Sequence, residues 1–385
     1  MPVPPVYAYT RQTIEEADLA AIREGLKGDL ITLGPLVGKF ERAIAHVTGA
    51  KHCIALANGT AALHAALLAM GLGPGDIGWT TDMTFVADAN AIRYTGAAVD
   101  LVDIDPETWN ISIPALSEKL VQAERAGKLP KVVIPVHFSG LPCDMPALAA
   151  LAKRYDFAIL EDGCHALGGR APDGPVGNCA HSSAVAFSLH PAKTITTGEG
   201  GLVTTNDDAL AERLRLLRGH GIARITPDEP WRAEMVTEGF NMRLTEPQAA
   251  LGLAQLERME AFVTRRAEIN AIYRRDLAGL PIAFQTLAAD SHSAHHMCVG
   301  RFDFAAMNTT KAAFYARMGA AGINLSIHYL PVHLHAFYKT LGYGKHAFPE
   351  AERYYSESFS LPCYPALTDA DMATICGCIR TAIKA

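Results

Sequence analysis

Between about residues 50 and 210 the chain alternates short, continuously apolar runs with helical stretches, and no other feature restricts its fold as strongly. The runs are HCIALAN (52–58), AAVDLVDID (97–105), KVVIPVHF (131–138), FAILED (157–162), SAVAFSL (183–189) and GGLVTTND (200–207). Between them lie helical segments such as TAALHAALLAM (60–70) and MPALAALAKRY (145–155). A strand that is apolar on both sides has to be covered on both faces, so these runs predict a mostly parallel central sheet between layers of helices, an α/β fold. At roughly 100–200 residues per domain, 385 residues leave room for two or so. Thr245 reads as the N-cap of a long connecting helix with Leu253, Leu256, Met259 and Val263 on one face. We therefore expect a large unit over 1–263 and a smaller C-terminal α+β unit over 264–385, with YLPVHLHAFY (329–338) as a loop.

Composition removes several function classes. Lysine and arginine total 34 against 40 aspartates and glutamates, a net charge of −6 with no basic patch or tail, so neither nucleic acid nor an anionic membrane is an expected partner. The eight cysteines follow no zinc or redox spacing and read as free thiols; Cys376 and Cys378, two apart on a helix, face different directions. MPVPPVYAYT lacks a signal pattern and no apolar run approaches the ~20 residues needed to span a bilayer, which implies a cytoplasmic protein. HHMCV (295–299) reads as a strand, whose alternation keeps His295 and His296 from sharing an ion, and His333 and His335 add no metal pattern, so no metal is expected.

The chemistry concentrates in SLHPAKTITTGEGG (188–201), where an apolar strand ends and one lysine, Lys193, precedes a glycine-rich return. A lysine amine held at a sheet end can condense with an aldehyde cofactor and later move protons, although a lysine on a turn is more often simply a surface residue. No GK[ST] follows the glycines, so this is not a nucleotide loop of the Walker kind. FAILEDGCHALGG (157–169) places Asp162 at the C-terminal end of a buried strand, where α/β sheets expose ligand-binding groups. There it can pair with a protonated pyridine nitrogen, or merely cap a turn. In NGTAAL (58–63) a strand passes through Gly59 into a helix beginning near Thr60, and a helix start of this kind binds phosphate; the Thr60 and Ser188 hydroxyls can assist. Phe85 in DMTFVADAN (82–90) can stack on an aromatic ring, though a lone phenylalanine is more often core.

In this order, together with TRQTIEEADLAAIREGL (10–26), LITLGPLVGKFE (30–41), PVHFSGLPCDM and GFNMRLTEPQAALGLAQL (239–256), these segments resemble the DegT/DnrJ/EryC1/StrS family of sugar-nucleotide aminotransferases over nearly the whole chain. The resemblance implies the aspartate-aminotransferase-like, type I fold and pyridoxal 5′-phosphate (PLP) as cofactor. Lys193 would hold the cofactor covalently, Asp162 would face its ring nitrogen, His165 its phenolic oxygen and Phe85 its ring face. Gly59, Thr60, Ala61 and Ser188 would hold its phosphate, with Asn241 reaching it from the second subunit of a homodimer. Some members carry histidine at the lysine position and act as dehydratases; the lysine here favours transamination.

Within the family the resemblance runs furthest to the pseudaminic-acid branch, through TWNISIPALSEKL (108–120), KLPKVVIPVHFSG (128–140), INLSIHYLPVHLHAFY (323–338) and FSLPCYPALT (359–368). It implies transfer of the amino group of L-glutamate to C4 of a UDP-linked 4-keto-6-deoxy-N-acetylhexosamine, with Tyr9, Thr32, His190, His328, Tyr329 and Pro331 contacting the nucleotide sugar. Another C3 or C4 nucleotide-sugar aminotransferase, or an idle sugar-nucleotide binder, are the rival readings. Leu33, near the expected sugar site, and Gly163, after Asp162, depart from the family's usual residues.

Overall fold

The computed structural model describes residues 6–224, 228–229, 231–288 and 290–384. Two helices, α1 (Glu16–Lys27) and α2 (Pro35–Thr48), precede the sheet. Its strands are β1 (His52–Leu56), β2 (Ile77–Thr81), β3 (Ala98–Val102), β4 (Val132–Ile134), β5 (Ala158–Asp162), then, after the two-residue pair β6 (Arg170–Ala171) and β7 (Gly174–Pro175), β8 (Ala184–Ser188) and β9 (Gly201–Thr205). The order across the seven strands is β1-β9-β8-β5-β4-β2-β3. Only β9 runs against its neighbours, pairing antiparallel with both β1 and β8; every other pairing is parallel. The mostly parallel α/β sheet predicted from the runs is present.

Alternation along the strands explains why the runs are apolar throughout. Leu160, Ala184 and Ala186 face one core with α3 (Gly59–Ala69), α4 (Ala87–Tyr94) and, after β9, α7 (Asp208–Arg218). Their neighbours Val185 and Phe187 pack against α2, while Ile159 packs with α5 (Ile113–Ala126) and α6 (Met145–Tyr155). Burying an apolar side chain stabilises by roughly 1.5–3 kcal/mol, so both helical layers are needed. β2 was not foreseen. Its sequence, IGWTT, contains no apolar run, and it is buried because Thr80 satisfies its hydroxyl on Ile134 O at 3.1 Å.

Past a short ribbon, β10 (Ile222–Ala223) and β11 (Glu234–Met235), the chain enters α8 (Glu246–Leu256). Thr245 caps it, reciprocally with Gln248, as expected. The expected single helix is in fact two, because the chain turns at Glu257–Arg258 before α9 (Met259–Asp276). Arg258 leaves helical dihedrals there and its guanidinium pairs with Glu15 and Asp18 at the start of α1. A second core joins α9 to the antiparallel sheet β12 (Ile282–Phe284), β13 (Cys298–Phe302) and β14 (Ser358–Leu361). The remaining helices are α10 (Lys311–Ala320), α11 (Ala336–Thr340), α12 (Pro349–Glu357) and α13 (Asp369–Lys384). His295 and His296 precede β13 rather than belonging to it, and His295 has a left-handed φ of 48° that ends any extended run. No described helix is long and apolar enough to cross a membrane.

Glu246 carries a specific structural duty. It is buried, and its carboxylate accepts the N–H groups of Leu36 at 2.7 Å and Val37 at 3.3 Å, capping α2. Gly34 allows the approach, since a Cβ there would stand 2.8 Å from the Glu246 carboxylate. Glu246→Ala is expected to lower stability by about 1–3 kcal/mol, read as a drop in urea midpoint, by stranding two helix-start donors. An unchanged midpoint would show that water replaces the cap.

Candidate active site

The C-terminal ends of β1, β2, β5 and β8 share one edge of the sheet, where open α/β sheets place their ligands. A cleft of about 620 Å³ opens there, lined by Asn58 and Thr60 after β1, Phe85 after β2, Asp162 on β5 and Ser188 on β8. Lys193 stands on the loop after β8, which is folded on itself by Lys193 N–H to His190 O at 2.8 Å and Thr197 N–H to Leu189 O at 3.1 Å. Gly201 returns the chain: a Cβ at this position would lie 2.1 Å from Asn58 O, so only glycine lets β9 pass beneath the start of α3.

That start is built for an anion. Asn58 caps α3, accepting the Ala61 N–H on its side chain at 2.8 Å, which leaves the Gly59 and Thr60 N–H groups without intrahelical acceptors. Gly59 rests on Ser188, whose Cβ would be 2.8 Å from an added Cβ, so Gly59, Thr60 and Ser188 converge. Ala61 lies behind them: its N–H is taken by Asn58 and it does not line the cleft.

Deeper in, Asp162 is buried and accepts the Cys164 N–H at 2.9 Å. Phe85 is 55% exposed despite its size, presenting its ring to the cleft. His165 is buried; Nε2 meets the Tyr329 hydroxyl at 2.9 Å while Nδ1 has no partner. Burial, and then the Lys193 charge, hold His165 far below its ordinary pKa, so the ring is neutral. Burial likewise lowers Lys193, although Cys164, Asp162 and Asp88 oppose it. A lysine made easier to deprotonate is what proton transfer by an amine requires.

Tyr9, His190, His328 and Tyr329 also line the cleft, with His190 at the exposed rim and the Tyr9 and His328 rings 4.8 Å apart. Thr32 and Asn241 are exposed and outside it, and Pro331 is buried beneath the loop that carries Tyr329. Leu33, expected near the sugar, is 69% exposed and borders a different groove with Arg218 and Arg243. Gly163 has a local cause: an added Cβ would come 2.7 Å from the Phe187 ring.

Three lining residues with polar or thiol groups escaped sequence reasoning, Cys164, Glu199 and His296, and so did Asp88, which stands behind the lining against Asp162. Burial, then the Asp162 charge, push the Asp88 carboxyl well above its ordinary value, and Thr84 donates to its Oδ2. His296 stacks on His165 with ring centroids 4.6 Å apart. A helix-start aspartate three positions after Phe85 was a usable signal for Asp88; nothing local marked His296.

A model of the DegT/DnrJ/EryC1/StrS aminotransferase family matches residues 12–380. The chain belongs to this family. It is 35% identical over 98% of its length, and 97% of the relative's, to the spore coat polysaccharide biosynthesis protein SpsC of Bacillus subtilis. Helicobacter pylori PseC, an aminotransferase involved in the biosynthesis of pseudoaminic acid, superposes with a TM-score of 0.91 at 27% identity, covering 98% of this chain and 99% of PseC. Spr1654 of Streptococcus pneumoniae in its PLP form gives 0.89 at 26% identity over 99% of each chain. The protein is a PLP-dependent sugar aminotransferase of the DegT/DnrJ/EryC1/StrS family, with the type I fold.

The residues fit the family cofactor. The cleft of this DegT-family enzyme has an amine, a carboxylate, an exposed aromatic face, an unpartnered buried Nδ1 on His165 and an open helix N-terminus. Among the described residues there is no cluster of three or more potential metal ligands.

Proposed function

We propose that the enzyme moves the amino group of L-glutamate to C4 of a UDP-linked 4-keto-6-deoxy-N-acetylhexosamine, giving 2-oxoglutarate and the 4-amino sugar of the pseudaminic-acid type. The observation that carries the reading is Lys193, its basicity lowered by burial, in one cleft with Asp162 and the start of α3. The likeness to PseC and the resemblance of the 323–338 segment to the pseudaminic-acid branch support the choice of sugar. Held by these residues, PLP would supply a carrier for the amino group and a sink for negative charge at the carbon that loses its proton. Lys193 Nζ takes the proton from the amino-bearing carbon of glutamate and, in the second half, delivers one to sugar C4. Asp162 would keep the ring nitrogen protonated, His165 would hold the phenolic oxygen, Gly59, Thr60 and Ser188 the phosphate, and Phe85 would cover the ring. Tyr9, His190, His328 and Tyr329 would face the nucleotide sugar.

We further propose a homodimer in which Asn241 and Thr32 complete the partner's cleft. Both are exposed and neither lines its own cleft, and exposed apolar side chains lie in the same stretches of chain: Ile31, beside Thr32, is 55%, Met235 70% and Trp231 79% exposed. Patches of this kind mark interfaces. Adding L-glutamate to the holoenzyme is expected to replace the lysine-bound absorbance with that of the pyridoxamine form and release 2-oxoglutarate. Product NMR over a panel of UDP- and dTDP-ketosugars should then show nitrogen at C4 of the UDP substrate. Amination at C3, or of dTDP sugars alone, would overturn the sugar assignment, and no spectral change would leave a binding protein.

A further inference from the structure

The loop that carries His328 and Tyr329 to the cleft is fastened at its far end. Val332 donates its N–H to Asp82 O at 2.9 Å, and the His333 N–H reaches Asp82 Oδ1 at 2.9 Å. The His333 ring closes the contact, with Nδ1 at 2.6 Å from Asp82 Oδ2. Asp82 follows β2 directly, is fully buried and stands three residues before Phe85. On the other side of the ring, Nε2 lies 3.4 Å from Glu352 Oε1 on α12, and Phe348 packs with its centroid 5.1 Å away. One imidazole thus joins the sheet, the cleft loop and α12, between two carboxylates.

We propose that Asp82, His333 and Glu352 form a proton-dependent clamp that sets the His328–Tyr329 wall against the cleft, which makes Asp82 and His333 positioning residues for the nucleotide-sugar half of the reaction. The proposal rests on the assignment of that wall to the sugar nucleotide. A neutral imidazole can satisfy only one carboxylate as donor, whereas the protonated ring donates to both. Burial opposes the charged ring, but the Asp82 hydrogen bond and charge, followed by Glu352, outweigh it and raise His333 above its ordinary value. Asp82 itself is pushed up by burial and drawn down by His333, with Asp103 as the further carboxylate it senses. Asp103 is occupied in capping α12, accepting from Glu350 N–H at 3.1 Å and Ala351 N–H at 2.9 Å. Because His333 is raised, the contact to Glu352 is made while the ring is protonated and is released as pH rises through the folded-state pKa of His333, which leaves the loop held by Asp82 alone; protonation of Asp82 itself weakens the clamp at the acid end.

Glu352 is half exposed, so Glu352→Gln keeps the fold while removing one of the two charges facing the ring. In the full-length holoenzyme, the pH at which amides 328–335 lose hydrogen-exchange protection, corrected for intrinsic rates, should move acidwards by about one unit. The KM for the nucleotide sugar near pH 8 should rise about threefold to tenfold, while the glutamate-driven absorbance change stays within about twofold of wild type. Asp82→Asn should raise the same KM by about tenfold or more. An unshifted exchange profile in Glu352→Gln would overturn the clamp, and a loosened loop with an unchanged sugar KM would overturn its positioning role. Should the wild-type enzyme aminate no nucleotide sugar, the functional reading fails, and the exchange profile still decides whether the clamp exists.

Discussion

Lys193→Ala is expected to reduce turnover by at least about 10⁴-fold and to remove the visible absorbance of the lysine-bound cofactor, because in the proposed mechanism one amine both holds the cofactor and moves the proton. The variant should nevertheless fold normally. Lys193 makes no side-chain hydrogen bond or ion pair among the described residues; only its backbone N–H, bonded to His190 O at 2.8 Å, shapes the loop, and alanine keeps that. Urea unfolding therefore separates lost chemistry from lost structure. Added small amines of rising pKa should restore part of the proton transfer, a rescue that a purely structural lysine would not show. A variant that still aminated sugars at the wild-type rate would remove the central assignment.

Asp162→Asn is expected to cost about 10³-fold in kcat with cofactor binding largely kept. The substitution isolates charge: the Asn carbonyl can still accept the Cys164 N–H, which Asp162 Oδ1 holds at 2.9 Å, and the start of α3, the proposed phosphate site, is untouched. What disappears is the anion that would keep the ring nitrogen protonated. The neighbouring carboxyl supplies a second readout. Asp88 is held well above the carboxylate range first by burial and then by the Asp162 charge, so in Asp162→Asn it should ionise at lower pH, visible as a carboxyl stretch in difference infrared spectra. A near-normal kcat would mean that Asp162 only shapes its turn.

The parts of this protein that were legible in sequence were those whose cause is local. Apolar runs marked six strands of the sheet because strands buried on both faces need apolar residues at every position. β2 escaped because its burial goes with the Thr80 hydroxyl finding an acceptor, Ile134 O, on β4, which no window reveals. The break between α8 and α9 was invisible for a related reason. Leu256, Met259 and Phe262 keep their core contacts across it, and its cause, the Arg258 pairs with Glu15 and Asp18, lies some 240 residues away in sequence. The site divides along the same line. Lys193, Asp162 and the Gly59–Thr60 helix start sit at strand ends and could be read from them, whereas the stack of His296 on His165 exists only once distant segments meet.

The hydrogen bond between His165 and Tyr329 spans 164 residues, and the contact between Asp82 and His333 spans 251. During synthesis the segment bearing Lys193 therefore emerges well before the wall that will enclose it. A nascent chain halted short of residue 329 should expose its lysine to bulk water, where any aldehyde bound there is open to hydrolysis. Stable yellow colour would then act as a timer for this enzyme, appearing only when the segment from residue 329 onward has docked.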